Sequence, residues 1–375
     1  MNKLSHPAVR RAAAGTLIAA LVILSFLALY RILQPRASAP FASVQALPAS
    51  ADAPPVHLFQ RVRDTVVNRF LPRNKDKYVT LIATGDIMLG RSVEMLENQK
   101  GWDYPFLHID PLLDGADIVM GNLEGPIPRR HIVTPLESLQ FSFAEQSVEP
   151  LSRRFSVLSL ANNHTDDFGE TGFRETKSAL EEAGIVTVGH PVRTSDEFTT
   201  EKTIHDRRFR FIGLNATYPS FNINKTATLA GDADSPAFTI ITIHWGTEYA
   251  PRSNETQRSI AHALIDAGAD LIIGHHPHVV QEIERYKGRL IFYSLGNFIF
   301  DQYFSRATQE SLMVRAAISD DTASFTLIPL ALPRSQPAPM TPELSQTFLN
   351  ELASRSASDI SDQIKSGTIT VENTH

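Results

Sequence analysis

The sequence predicts an α/β domain preceded by one apolar segment long enough to cross a membrane. Three observations lead there. Apolar, β-rich runs alternate with helical stretches through the middle of the chain. Five of those runs end in Asp, Glu, Asn or His, the residue types that carry chemistry at the carboxyl ends of strands in open α/β sheets. Residues 12–30 hold no charge and are mostly apolar, close to the ~20 residues a helix needs to cross the hydrocarbon core.

That segment follows Lys3, Arg10 and Arg11 and precedes Arg31 and Arg36, so the charge bias toward an inner amino terminus is slight. An uncleaved anchor, a cleaved signal peptide and a buried core helix compete. The run is longer than a usual signal core, Ala37-Ser38-Ala39 is followed by Pro40, and no polar face marks a core helix. The expected organisation is a cytoplasmic amino terminus at 1–11, a signal anchor at 12–30 and a Pro/Ala-rich tether at 31–77 with a short amphipathic helix near 56–70. The main domain then spans 78–333, outside the cytoplasm, and 334–375 supply a helix and a mobile tail.

Within the domain, the run at 78–83 delivers Thr84-Gly85-Asp86, and 116–120 delivers Gly121-Asn122-Leu123-Glu124. The run at 155–160 delivers Ala161-Asn162-Asn163-His164, 238–243 delivers His244-Trp245-Gly246, and 271–273 delivers Gly274-His275-His276-Pro277-His278. Helices are expected at 92–99, 170–183 and 255–267, the last two closed by Gly184 and Gly268. The stretch 222–236 is short and polar where a helix would precede the His244 strand. Residues 279–283 and 290–295 read as a hairpin about Tyr286-Lys287-Gly288-Arg289, and 312–318 with 324–332 as an antiparallel pair. A helix is expected at 342–354.

Composition narrows the chemistry. A net charge of −6 without a long Lys/Arg run argues against a nucleic-acid partner. The absence of cysteine excludes thiolate metal sites, cysteine nucleophiles and disulfides. Asp86, Glu124, Asn163, His164, His244, His276 and His278 remain, a carboxylate and imidazole set that suits Zn, Mn or Fe better than Ca or Mg. Taken singly, each has an ordinary reading: Asp86 as a helix cap, Glu124 as a solvated loop charge, Asn163 as a turn residue, His244 as a packed histidine. Their placement at five successive strand ends favours a common site. His276 and His278 flank Pro277, and alternation along an extended segment would turn both rings one way and His275 the other.

Ordered motifs then resemble a known family. Gly85-Asp86-Ile87-Met88-Leu89-Gly90-Arg91, Asn122-Leu123-Glu124 and Ala161-Asn162-Asn163-His164 with Asp167 are similar to those of the CapA family. So are His244-Trp245-Gly246-Thr247-Glu248-Tyr249, His276-Pro277-His278-Val279-Val280-Gln281 and Tyr293-Ser294-Leu295-Gly296-Asn297-Phe298. That family is linked to poly-γ-glutamate capsule synthesis and related to calcineurin-like metallophosphatases. The resemblance implies an αββα four-layer sandwich and one or two divalent ions held by Asp86, Glu124, Asn163, His244, His276 and His278. It implies His164 as general acid, oriented by Asp167, with Arg91, Glu248 and Asn297 contacting substrate or supporting the ligands. Arg91 and Glu248 read equally well as salt-bridge residues. Met88 stands where the phosphatase pattern has histidine, which leaves the number of ions open. Two functions remain in view. One is a metal-dependent hydrolase or transferase acting on a phosphoester or on poly-γ-glutamate at the membrane's outer face. The other is a non-catalytic subunit that binds or exports the polymer with capsule-synthesis membrane proteins.

Overall fold

The computed structural model describes residues 77–231 and 237–373. The apolar span, the tether and its expected helix lie outside them. Among the described residues no helix is long and apolar enough to cross a membrane.

The chain first builds half a sheet. β1 (Val79–Ile87) leads through α1 (Arg91–Lys100) and the one-turn α2 (Asp110–Leu113) to β2 (Ile118–Leu123). The short α3 (Val148–Ser152) precedes β3 (Val157–Ser159), and α4 (Gly169–Glu182) connects it to β4 (Val186–Val188). These four strands are parallel neighbours in chain order, as expected of strands joined by helical crossovers.

A second sheet follows. β5 (Thr199–Ile204) and β6 (Arg207–Asn215) form a hairpin. α5 (Ile223–Ala230), β7 (Phe238–His244), α6 (Glu255–Asp266) and β8 (Leu271–His275) continue it in parallel. β9 (Ile283–Tyr286) and β10 (Arg289–Phe292) complete a six-stranded sheet in the order β5-β6-β7-β8-β10-β9.

The chain then returns to the first sheet through β11 (Asn297–Ile299), β12 (Glu310–Ile318), β13 (Thr322–Ala331) and β14 (Ala338–Pro339). α7 (Pro342–Arg355), α8 (Ser361–Ser366) and β15 (Thr368–Glu372) close it. This sheet has nine strands and is mixed, because β12 runs antiparallel to β1.

Strand periodicity explains the layering. Leu81 and Ala83 of β1 share one core with Phe209 and Phe211 of β6, Ile240 of β7 and Leu271 and Ile273 of β8, so the two sheets pack face to face. Ile82 points the other way, into a second core with Val93 of α1 and Phe173 and Leu180 of α4. Ile241, Ile243 and Ile272 likewise meet Leu229 of α5 and Ile260 and Leu264 of α6 in a third. The fold is thus mixed α/β with two mixed sheets, each in contact with helices.

Four sequence expectations change. The stretch 222–236 does contain a helix, α5, capped by the Asn222 side chain, which accepts from the amides of Asn224 and Lys225. The hairpin turns at Tyr286–Arg289 as expected, but its regular strands are shorter, Ile283–Tyr286 and Arg289–Phe292, with only an isolated bridge between Val280 and Leu295 beyond them. The domain does not end at 333: Phe348, Leu352, Ile364 and Ile369 all lie in the central core. The expected mobile tail is largely ordered. Thr368–Glu372 pairs with β13 and buries Ile369 and Val371, a period-two pattern too short to stand out by itself.

Candidate metal centre

The strand ends of both sheets close on one buried cluster. Asp86 is the penultimate residue of β1, and the missing side chain of Gly85 lets β11 come close there. A Cβ at Gly85 would lie 1.9 Å from the Gly296 carbonyl oxygen. That carbonyl accepts from the Asp86 amide at 3.0 Å. Glu124 follows β2, Asn163 and His164 follow β3, His244 ends β7, and His276 and His278 follow β8.

Contacts bridge the sheets. Asn122 of β2 donates to Asp86 Oδ1 at 2.9 Å and sits 3.3 Å from His244 Nδ1. His244 Nε2 is 2.6 Å from Asn163 Oδ1. His278 Nδ1 is 3.0 Å from Asn297 Oδ1 and 3.5 Å from Asp86 Oδ2, and its Nε2 is 3.6 Å from Glu124 Oε1. The rings of His244 and His276 have centroids 4.6 Å apart. Among the described residues three sets bring one ligand atom each within 4.8 Å of the others: Glu124/His244/His276, Asp86/Glu124/His278 and Glu248/His276/His278.

His275 is placed differently from the sequence expectation. Its Nδ1 lies 3.0 Å from Asp86 Oδ1, in contact though not aligned for a hydrogen bond. His276 and His278 do meet as expected, but His275 is not turned away, because the loop is not extended: His276 and His278 have φ of 93° and 57°. Arg91 and Tyr249, at φ 52° and 61°, carry similar left-handed backbone around the same site. Such non-glycine conformations cost on the order of 1–3 kcal/mol each and gather where packing over-determines them.

Two supporting residues were not singled out from the sequence. Asn122 joins the two sheets as above. The Asn162 carboxamide accepts from the amides of His164 and Thr165 and donates to Leu123 O and Asn122 Oδ1, so it fixes the turn that presents Asn163 and His164. The Asn-Asn pair was a turn signal, and the turn is what Asn162 builds. Met88 stands clear of the cluster: it is fully buried in the helix-side core, its sulfur accepting from Gly90 N.

The remaining candidates lie around the rim. His164 Nδ1 is 3.0 Å from Asp167 Oδ2, which also accepts from the Phe141 amide at 2.6 Å, and the Phe141 ring lies 4.2 Å from the imidazole. Arg91 pairs with Asp301 at 2.5 Å, between the rings of Phe141 and Phe300. Asn297 is buried and also donates to Thr308 O, which leaves its oxygen for His278. Glu248 is exposed at the mouth.

Burial sets the electrostatics. It would raise Asp86, but contacts with His275 and His278 outweigh it and hold the carboxyl well below its ordinary value. For Glu124 burial wins: reinforced by Asp86 and only partly opposed by His278, it lifts the carboxyl well above the usual carboxylate range. Burial and then the neighbouring His276 depress His244. His276 falls to about 4 through burial and His278. His278 is the exception: burial opposes its charge, yet Glu124 and Asp86 raise it to about 9.

The donor set suits a divalent cation. Both Glu124 carboxylate oxygens and His276 Nδ1 are buried without a hydrogen-bond partner among the described residues. Unsatisfied buried carboxylate oxygens cost free energy unless something cationic meets them. Carboxylate oxygen and imidazole nitrogen together are the donors of Zn, Mn and Fe sites.

The family model for the bacterial capsule synthesis protein PGA_cap matches residues 80–302. The chain belongs to the PGA_cap family. It is 33% identical to the capsule biosynthesis protein CapA of Bacillus anthracis over 299 residues, covering 72% of each chain. It is 30% identical to the PGA biosynthesis protein CapA of Bacillus subtilis over 320 residues, 80% of this chain and 84% of that one. Among solved structures it is similar to the NAD nucleotidase of Haemophilus influenzae, at 12% identity and a TM-score of 0.42, over 75% of this chain and 63% of that one. The PGA_cap match contains every residue of the cluster, from Asp86 to Asn297. All of β12 to β15 in the nine-stranded sheet lies beyond it.

Proposed function

We propose that this PGA_cap chain is a membrane-anchored, metal-dependent hydrolase or transferase that acts on poly-γ-glutamate outside the cytoplasm. Its chemistry would be of the metallophosphatase kind, on an αββα sandwich. The observation that carries the reading is Glu124, whose two buried carboxylate oxygens, beside Asp86, His244, His276 and His278, have no hydrogen-bond partner among the described residues. A site of that composition has no structural use without a cation. The names of the CapA relatives supply the polymer class.

Asp86, Glu124, Asn163, His244, His276 and His278 would hold one or two ions of Mn, Fe or Zn. An ion there would polarise a carbonyl or phosphoryl oxygen and make water acidic enough to attack near neutral pH. The protein supplies the rest. Asp167 occupies His164 Nδ1, so Nε2 is left to give a proton to the departing amine of a γ-glutamyl bond. Phe141 against the imidazole limits its rotation. The polar Glu248 and Tyr249 at the mouth contact the substrate. A binding module would need no acid at the leaving-group position, and this favours catalysis over passive polymer handling.

The membrane assignment rests on the uncharged run at residues 12–30. A reporter fused after Pro55 should be active only outside the cytoplasm. Cytoplasmic activity would reverse the orientation.

The deciding experiment measures bound metal in the purified full chain, then assays γ-glutamyl and phosphodiester hydrolysis with and without chelator. Bound metal and chelator-sensitive γ-glutamyl cleavage are expected. Protein that stays metal-free after reconstitution with Mn, Fe and Zn defeats the reading, and cleavage of the phosphodiester alone moves the substrate to a phosphoester.

A further inference from the structure

A cavity of about 280 Å3 opens beside the carboxyl end of β6, lined by the segment around Arg193 and by the start of α5. It is outside the metal centre but close to it. Asn215, in its wall, is the register partner of His244 on β7, and the amide of the next residue, Ala216, donates to the His244 carbonyl at 2.8 Å. Adjacent strands are roughly 4.8 Å apart, so the cavity begins one strand away from a candidate ligand.

Its lining is cationic and rich in hydroxyl groups. Arg193 and Lys225 face a single acidic lining residue, Glu197. The Arg193 guanidinium is fixed in advance. It pairs with Glu170 Oε1 at 2.9 Å, contacts His190 Nε2 at 3.1 Å and lies 5.1 Å over the Phe198 ring. Glu170 also pairs with Arg174, so one carboxylate serves two guanidinium groups and positive charge remains in excess. Of two further acids nearby, Asp196 is engaged by Arg210 and Asp166 accepts from the Tyr218 hydroxyl. Lys225 has no acidic partner among the described residues, and Ser195 and Ser220 add hydroxyl groups to the lining.

We infer that this cavity is a second binding subsite, taking a carboxylate-bearing segment of an anionic polymer whose residues several units further along lie at the metal centre. The inference rests on the polymer reading above and adds where the chain runs: across the end of β6, from Lys225 and Arg193 toward His244. A ligand long enough to reach both places gains from the second contact as an intramolecular event, whereas a short one does not. Length preference is therefore the signature.

The test uses the full chain in detergent and two probes, a γ-glutamyl dimer and a γ-glutamyl hexamer, with binding followed by calorimetry. Wild type should bind the hexamer more tightly. Lys225→Glu should weaken hexamer binding about tenfold, leave metal content and dimer binding unchanged, and Lys225→Arg should restore the hexamer. Equal hexamer affinity in wild type and Lys225→Glu overturns the subsite while leaving the polymer reading intact. Metal-loaded wild type that binds neither probe overturns the polymer reading and the subsite with it.

Discussion

Asn163 and His244 belong to opposite sheets, yet Asn163 Oδ1 and His244 Nε2 lie 2.6 Å apart. The loop after β3 reaches across the mouth of the sandwich to the end of β7, so the centre exists only when the two sheets are packed. Disturbance of either sheet should therefore be read at the site.

The first prediction concerns the ligands. Glu124→Gln keeps shape and removes the charge that a cation would meet, and His276→Ala removes one nitrogen donor. Both should leave the fold intact and lower metal retention by more than the 10–100-fold typical of losing a supporting residue. Metal analysis after dialysis decides it. Retention at the wild-type level in both variants would remove them from the ligand set.

The second is a proton count. His278, raised to about 9, is protonated at neutral pH, and burial of Glu124 favours its protonated form as well. A cation can use these groups only after they lose their protons, so metal uptake at pH 7 should release protons. Affinity should rise with pH and level off once His278 is neutral. Calorimetry in buffers of different ionisation enthalpy gives the number released, and a value of zero contradicts the assignment.

The third separates positioning from binding. Asp167→Asn keeps a partner for the Phe141 amide but weakens the anchor on His164 Nδ1. Turnover should drop about 10–100-fold with metal content unchanged. A change in KM alone would point to a structural role.

The fourth addresses the carboxyl-terminal strand. Ile369 is fully buried in the central core, so Ile369→Ala should cost about 2–5 kcal/mol in urea unfolding. The exposed neighbour Thr370→Ala on the same strand should cost little. Equal and negligible effects would mean that β15 does not contribute to the core.

Legibility followed locality. Asp86, Glu124, Asn163 and His244 were readable because each follows an apolar β-rich run, and the strand end is a local feature. α6 was readable from its helical stretch and the Gly268 that closes it, signals that lie within the segment itself. β5 and β6 were missed because Arg207, Arg208 and Arg210 interrupt the apolar alternation. The burial of β6 comes from the other sheet, with Phe209 and Phe211 in the shared core.

The sequence by itself determined the alternation of strand and helix, the residue types at the strand ends and the absence of thiol chemistry, because these depend on neighbours in the chain. Tertiary structure decided which of those residues meet. It turned the 276–278 backbone to left-handed φ, set His275 against Asp86, and placed Asn122 between the sheets. It also left both Glu124 carboxylate oxygens buried with no hydrogen-bond partner among the described residues. Those outcomes follow from two sheets packing face to face, a contact between segments more than a hundred residues apart that no local pattern encodes.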